Sequence, residues 1–151
     1  MIEGIVLAGA LMAGPATAGT AIIEQAQAAA ALIPKAWRPF AECVSKRESN
    51  HNYRARNPRS SAQGRWQLLD TAWRVNGGAE WIVLRQLKRQ GVSWEVRKRI
   101  YAQLTKTRIQ LWPAWAQDAV FVAVVTERTT GWRHWSLPGS KCQGLVPRYA
   151  A

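Results

Sequence analysis

The chain has 151 residues, which is enough for one domain with a hydrophobic core but not comfortably for two. Hydrophobic residues make up 48% of it, which excludes a disordered chain, and nine tryptophans predict flat, amphipathic surfaces as well as core. With 21 Lys plus Arg against nine Asp plus Glu, the formal net charge of +12 favours a polyanionic partner: nucleic acid, an anionic membrane or an acidic cell-wall polymer.

Residues 1–36 form an apolar segment that differs from the rest of the chain. An Ala/Gly-rich run from Gly4 to Ile23 is long enough to span a bilayer, and no Lys or Arg precedes residue 35. The run also resembles a secretory signal with a cleavage site at 16–18, although Glu3 stands where a positive charge is expected. We predict an uncleaved helical segment that inserts into a membrane or packs against other subunits. A signal peptide is the alternative.

From residue 37 to residue 142 the apolar spacing predicts a mostly α domain, followed by a short tail at 143–151. Helices are predicted at 40–49, 65–73, 79–90, 93–112 and 114–128, and residues 129–142 form a turn-rich C-terminal loop. No strand pattern of useful length occurs. The run from Val120 to Val125 is apolar nearly all round, so its helix should be the central buried one.

Glu48 breaks the apolar stripe of the first helix in this domain. Phe40 and Val44 lie four residues apart on one helix face, and the next position on that face is Glu48. Because a carboxylate on an apolar face is costly to desolvate, it should have either a partner or a chemical use. The structural interpretation is an ion pair with Arg47 or Arg65, and the functional one is an acid that faces a cleft.

The residues from Glu48 onward resemble the sequence motif of lytic transglycosylases and resuscitation-promoting factors of the actinobacterial or actinophage type. These proteins have a lysozyme-like fold. In that family Glu-Ser is followed by S-x-x-G-x-x-Q-[LF] and then by T-x-W or T-A. The matching positions here are Glu48, Ser49, Ser61, Gly64, Gln67, Leu68, Thr71, Ala72 and Trp73. The end of the C-terminal loop, Gly131 to Cys142, resembles the Trp-rich, Cys-ended tail of such members. Residues 124–131 depart from the pattern, since many transglycosylases carry a Tyr-Asn pair there.

The resemblance implies a peptidoglycan-cleaving glycosidase, either a lytic transglycosylase or a muramidase, that acts on the MurNAc–GlcNAc bond without a cofactor. Such cleavage needs an acid that stays protonated near neutral pH and reaches the leaving oxygen, and Glu48 is the candidate. Lytic transglycosylases work with one Glu and the acetamido group of the substrate. That suits this sequence, because the two candidates for a second catalytic carboxylate, Asp70 and Asp118, are more typical of caps or ion pairs.

Six further residues are candidates for binding the sugar: Ser61, Gly64, Trp66, Gln67, Trp73 and Trp135. The glutamine amide suits an N-acetyl group or hydroxyls, the serine could position the acid or the substrate, and the glycine allows close backbone approach. The tryptophans offer ring faces for pyranose C–H groups, as does Trp132. Each has a structural alternative: a local hydrogen bond for the glutamine, a cap for the serine, the end of a loop for the glycine and core packing for the tryptophans.

Cys43 and Cys142 lie far apart and have no CxxC partner. His51 and His134 add no recognisable ligand pattern, so no metal site is predicted. Two separate core thiols and a disulfide both suit these cysteines. Their placement, one just before Glu48 and one at the end of the ordered region, favours the disulfide, which would imply an oxidising, extracytoplasmic setting.

A wall-cleaving domain behind an apolar segment suits a phage particle protein that opens the host envelope during phage entry. A secreted or membrane-anchored bacterial enzyme is the alternative. The expected partners are peptidoglycan glycan strands and, through residues 1–36, a membrane or other virion subunits. The rival function is a basic virion structural protein that contacts DNA through residues 85–90 and 96–108, on an inactive lysozyme-like fold. We favour the enzyme over this nucleic-acid binder, because a binder does not need Glu48 and Gln67 at this spacing.

Overall fold

A computed structural model of the protein describes residues 15–69, 78–127, 130–136 and 139–150. It is mostly helical, as predicted. The α-helices in these residues are α1 (Pro15–Ala30), α2 (Arg38–Ser49), α3 (Gly78–Arg89), α4 (Trp94–Leu104) and α5 (Ala114–Glu127). Two short antiparallel strands, β1 (Ala62–Gln63) and β2 (Leu68–Leu69), form a hairpin between α2 and α3.

Helix α5 is the central buried helix, as its all-round apolar sequence predicts. Every residue from Ala119 to Val125 is buried. Helices α1 and α3 pack on α5, and α4 packs on α3. Phe121 of α5 stacks on Trp66 with ring centroids 3.9 Å apart, and its ring also lies 6.4 Å from that of Phe40 in α2. The aromatic centre of the core therefore joins α5, α2 and the hairpin.

Part of the apolar N-terminal segment folds onto the rest of the protein. Helix α1 packs against α3 and α5, and Ala26 and Ala30 are buried there because their small side chains allow close approach. None of the helices in the described part of the chain is long and apolar enough to cross a membrane. Residues 1–14, which carry much of the apolar run, lie outside the described residues.

Two predicted helices are wrong in part. Residues 65–69 form a turn and strand β2, because Gly64 and Gln67 both adopt positive φ, at +76° and +49°, which a helix excludes. Helix α4 ends at Leu104 although apolar spacing predicts helix to residue 112. There the indole of Trp112 donates to the carbonyls of Leu104 at 3.0 Å and Thr107 at 3.2 Å, which satisfies the helix end.

The predicted disulfide is present. Cys43 and Cys142 are bonded, with a sequence separation of 99 residues. The bond joins the middle of α2 to the last residue of the C-terminal loop, and Cys142 lies in the core, since it is 1% exposed. The C-terminal loop is therefore fixed beside α2, whose last turn carries Glu48.

Candidate active site

Glu48 lies in the last turn of α2, where the chain leaves the helix abruptly. The next two residues after the helix, Asn50 and His51, both have positive φ, at 51° and 64°. The side chain of Glu48 is 25% exposed, so it is neither in the core nor free in water. Its position at the edge of the core agrees with the break in the apolar stripe that the sequence shows.

Arg47 is the partner of Glu48. Its Nε and Nη2 atoms both donate to Glu48 Oε1, at 3.0 and 2.6 Å, and Nη2 also donates to the carbonyl of Trp135 in the C-terminal loop. Of the two partners that the sequence suggests, Arg47 is thus the one that forms the ion pair. In this arrangement Glu48 accepts hydrogen bonds, whereas a general acid has to donate a proton.

The turn at residues 64–67 lies next to the end of α2. The Ser49 hydroxyl donates to the carbonyl of Arg65 at 2.7 Å, and the indole of Trp135 donates to the carbonyl of Trp66 at 2.7 Å. Helix α2 and the C-terminal loop therefore hold the turn from two directions. Three parts of the chain that are distant in sequence meet at this place: the Glu48-Ser49 pair, the Gly64–Gln67 turn and the C-terminal loop.

Of the predicted motif residues, Gly64 and Gln67 lie in the turn beside Glu48, whereas Ser61 lies on the surface before β1. Gln67 is half-buried and donates from Nε2 to the carbonyl of Gly64 at 3.0 Å, which is the structural alternative for this side chain. Gly64 is buried with φ +76° and donates its N–H to the Ala55 carbonyl at 2.8 Å. Ser61 is exposed just before β1. The glycine and the glutamine thus shape the turn beside Glu48.

The tryptophans predicted as sugar platforms favour the core interpretation instead. Trp66 is fully buried, with Phe121 on its ring at 3.9 Å and the Arg65 guanidinium 4.6 Å from its ring centroid. Trp135 is 5% exposed and Trp132 is 7% exposed. Rings covered in this way cannot present a face to a pyranose. Trp73 lies outside the described residues, and so do Asp70, Thr71 and Ala72.

Asp118 lies behind the 64–67 turn and is surrounded by donors from Tyr53, Trp66 and Arg65. Its carboxylate accepts from Tyr53 Oη at 2.7 Å and from Trp66 Nε1 at 2.8 Å, and Arg65 Nη1 lies 3.7 Å away. Burial raises the pKa of the Asp118 carboxyl, while the two hydrogen bonds and the arginine charge act in the opposite direction. This is the ion-pair role that the sequence suggests for Asp118.

Gln117 supports the site although the sequence does not indicate it, and Arg65, which the sequence suggests as a partner of Glu48, contacts Tyr53 and Ser45 instead. The Arg65 side chain lies 5.2 Å from the Tyr53 ring centroid and donates to Tyr53 Oη at 2.6 Å and to the Ser45 hydroxyl at 2.7 Å. Gln117 is fully buried in α5 and accepts from the Arg65 backbone N–H at 3.0 Å. An adjacent polar pair, Gln117 and Asp118, in an otherwise apolar helix was the signal that could have indicated this support.

No protein-family model, curated protein or solved structure matches the chain. The functional conclusion therefore rests on the residues of the site. Among the residues that the structure describes, no group of three or more His, Cys, Asp or Glu side chains could hold a metal ion.

The surface of the loop after Glu48 is strongly basic. Arg54, Arg56 and Arg59 are exposed in the segment that leads from α2 to β1. Lys46, one turn before the end of α2, is exposed as well. These charges give the segment that follows α2 a basic surface, which attracts anionic polymers.

Proposed function

We propose that the protein cleaves the glycan strands of peptidoglycan at the MurNAc–GlcNAc bond, as a lytic transglycosylase or muramidase with Glu48 as its acid. The observation that carries this proposal is the 2.7 Å hydrogen bond from the Ser49 hydroxyl to the Arg65 carbonyl. It puts the Glu-Ser pair beside the Gly-x-x-Gln turn, as a site assembled from both parts of the motif requires.

In this reaction the Glu48 carboxylic acid gives its proton to the glycosidic oxygen as the bond to C1 of MurNAc breaks. On the transglycosylase route, the acetamido group of the substrate stabilises C1. The Glu48 carboxylate then takes the proton of the C6 hydroxyl, and O6 closes a 1,6-anhydro ring on MurNAc. A muramidase instead adds water and usually needs a second carboxylate to activate or replace that water.

The surroundings of Asp118 favour the anhydro route. Its side chain is only 15% exposed, and its oxygens accept from Tyr53 and Trp66 beside the Arg65 guanidinium. Since both carboxylate oxygens already accept from protein donors, little room is left for Asp118 to hold and orient a water molecule. The other candidate, Asp70, lies outside the described residues.

The ion pair with Arg47 has to open before Glu48 can act. The guanidinium is 40% exposed, so water and the substrate can reach it. Acidic groups of the wall polymer would compete with Glu48 for this cation, because a carboxylate pairs with arginine in the same geometry wherever it comes from. Binding of the polymer would thereby free the Glu48 carboxylate, which takes up a proton from water before it acts as the acid.

This activity suits a virion-associated protein that opens the host cell wall during infection, with a secreted or membrane-anchored bacterial enzyme as the alternative setting. The disulfide between Cys43 and Cys142 supports a place outside the reducing cytoplasm in both settings. The net charge of +12 favours attraction to an anionic wall.

Mass spectrometry of peptidoglycan fragments tests the proposal. Wild-type protein should release fragments with 1,6-anhydro ends, and Glu48→Gln should reduce release by orders of magnitude because it keeps the size but removes the transferable proton. Glu42→Gln is the matched control, since Glu42 is an exposed glutamate on the same helix. Fragments heavier by one water per cut would indicate a muramidase. Release by Glu48→Gln at the wild-type rate, or no release by any of the three proteins, would reject the proposal.

A further inference from the structure

Helices α3 and α4 carry an exposed aromatic cluster on the hairpin that they form. Trp81 of α3 is 38% exposed and Trp94 of α4 is 46% exposed. Their ring centroids are 6.5 Å apart with planes 16° from parallel, and the Tyr101 ring lies 5.3 Å from that of Trp81. Trp37, Trp66 and Trp112 are fully buried, so the fold does enclose tryptophan elsewhere. Contiguous exposed apolar clusters are typical of interaction surfaces.

Basic side chains border this cluster. The Arg97 guanidinium lies 5.2 Å from the Trp94 ring centroid and is held there by a 3.0 Å hydrogen bond from Nε to the Val92 carbonyl. Arg85 is exposed one turn after Trp81, and Lys98 is exposed one turn after Trp94, where it pairs with Glu95 at 3.4 Å. Residues 78–104 contain six Lys or Arg and two Glu. We call Trp81, Arg85, Trp94, Arg97, Lys98 and Tyr101 the α3–α4 face.

The α3–α4 face belongs to different elements from the candidate active site. Helix α3 packs on α1, α4 and α5, whereas the site is built from the end of α2, the 64–67 turn and the C-terminal loop. A long polymer could therefore be held on the α3–α4 face while another part of it, or a neighbouring strand, occupies the site.

We propose that the α3–α4 face is a second binding site for an anionic glycan strand of the cell wall, separate from the site of cleavage. Tryptophan and tyrosine rings have a negative face that attracts the slightly positive C–H groups of a sugar ring. The arginines and the lysine pair with the acidic groups that the strand carries. The inference rests on the proposed function, which makes a wall glycan the polymer that this chain meets.

The composition of the face favours a glycan over a membrane. A helix that lies in a lipid surface combines its basic residues with several deeply inserted apolar side chains. Here the Arg97 guanidinium lies against the Trp94 ring, and exposed Arg85 and Lys98 follow the two tryptophans by one helical turn, so basic rather than aliphatic side chains accompany the rings. Stacking of nucleic-acid bases on the same rings is the remaining alternative, and the experiment distinguishes it.

The experiment is co-sedimentation of the full chain with insoluble purified peptidoglycan, in the Glu48→Gln background so that the wall stays intact. Adding Trp81→Ala and Trp94→Ala should weaken retention roughly ten-fold or more, since aromatic anchors dominate such contacts. Arg85→Gln with Lys98→Gln should weaken it too and reduce its salt dependence. Tyr149→Ala, which removes a 75% exposed aromatic residue outside the face, should bind as its parent does. Circular dichroism melting verifies that each variant is folded.

Equal retention of the folded tryptophan variants and their parent would overturn the proposal. So would a loss of binding to duplex or single-stranded DNA with unchanged retention on the wall, because the face would then serve nucleic acid. Cleavage of short soluble glycan fragments keeps this result separate from the proposed function. The Trp81→Ala, Trp94→Ala double variant should cleave such fragments at the wild-type rate. If the wild type cleaves nothing but needs these tryptophans for retention, the proposed function is rejected and the binding site on the α3–α4 face is kept.

Discussion

At the end of α2, Arg47 holds the Glu48 carboxylate as a hydrogen-bond acceptor. Arg47→Ala removes this ion pair and also the bond to the Trp135 carbonyl. We expect faster wall cleavage near neutral pH, because Glu48 no longer has to leave a partner before it can donate. The loss in free energy of unfolding should be about 1 kcal/mol or less, as is typical of a partly exposed pair. Clearing of wall suspensions and urea unfolding measure the two effects.

Lys46→Ala is the control for this variant, because it removes the same charge from the exposed neighbouring position. It should leave cleavage close to the wild-type rate. If Arg47→Ala instead lowered cleavage to the level of Glu48→Gln, the guanidinium would be needed by the reaction and the prediction would be wrong.

Gly64 allows a close approach between the 64–67 turn and α5. A Cβ at this position would overlap the side-chain amide of Gln117, which is fully buried and donates to the carbonyls of Tyr53 and Ile109. Gly91 also has positive φ but has open space around it. Gly91→Ala should therefore add only backbone strain, which lowers the free energy of unfolding by about 1–2 kcal/mol. Gly64→Ala should lose a further 1–3 kcal/mol, roughly, from overpacking.

Urea unfolding of the two glycine variants gives this comparison directly. Equal losses would mean that Gln117 shifts aside without penalty. The buried amide would then not be what fixes the turn against α5.

Asp118 should make stability depend on pH. Since burial raises the pKa of its carboxyl in the folded protein, the folded state holds this proton more tightly than the unfolded chain. Its stabilising contribution is full below the unfolded pKa and is lost as the pH rises through the folded pKa. Relative to Asp118→Asn, the wild type should therefore become less stable as the pH rises from about 4, near the unfolded pKa of an aspartate.

Unfolding by urea at a series of pH values measures this difference. Glu24→Gln, at an exposed carboxylate of α1, provides the control for removing one acidic charge. A wild-type advantage that grows with pH would show instead that the Arg65 charge outweighs burial.

The disulfide links two elements that the sequence separates by 99 residues. Removing it with Cys43→Ala and Cys142→Ala should lower the free energy of unfolding by roughly 2–5 kcal/mol, because a loop of this size restricts the unfolded chain strongly. Alanine is chosen over serine because a serine hydroxyl at the buried position of Cys142 would add a desolvation cost of its own. Cleavage should also fall, since the C-terminal loop supports the 64–67 turn. Urea unfolding of this variant and of the reduced wild type should agree; full stability without the bond would contradict the prediction.

Most of the helices could be predicted from apolar spacing, and the exceptions have local causes. Helix α2 begins near Pro39 and α5 follows Pro113, as the sequence indicates, because each proline suits the start of a helix. The sequence does not predict the hairpin, because Gln67 adopts a left-handed backbone conformation that a glutamine rarely adopts. Helix α4 was predicted too long because its end depends on the indole of Trp112, a contact that helical periodicity cannot reveal.

Across the whole molecule, the sequence predicted which parts of the site meet but not how they are supported. Glu48 could be singled out because it breaks an apolar stripe, and Arg47 was one of its two expected partners. The burial of Trp66 could not be decided, because its ring suits a core and a sugar platform equally. The support from Arg65 and Gln117 is a tertiary arrangement of side chains from separate elements, which residue spacing does not encode.

The net charge of +12 acts on the whole molecule and should make wall cleavage sensitive to salt. Basic side chains lie both near Glu48 and on the α3–α4 face, so an anionic wall is attracted from more than one side. Raising the salt concentration from about 0.1 M to 1 M shortens the screening length from roughly 10 to 3 Å. The rate of wall clearing should then fall several-fold, whereas cleavage of short uncharged glycan fragments should change little because they gain nothing from this attraction. An equal fall for both substrates would mean that salt acts on the fold or on Glu48 itself, and the charge would then have no part in bringing the protein to the wall.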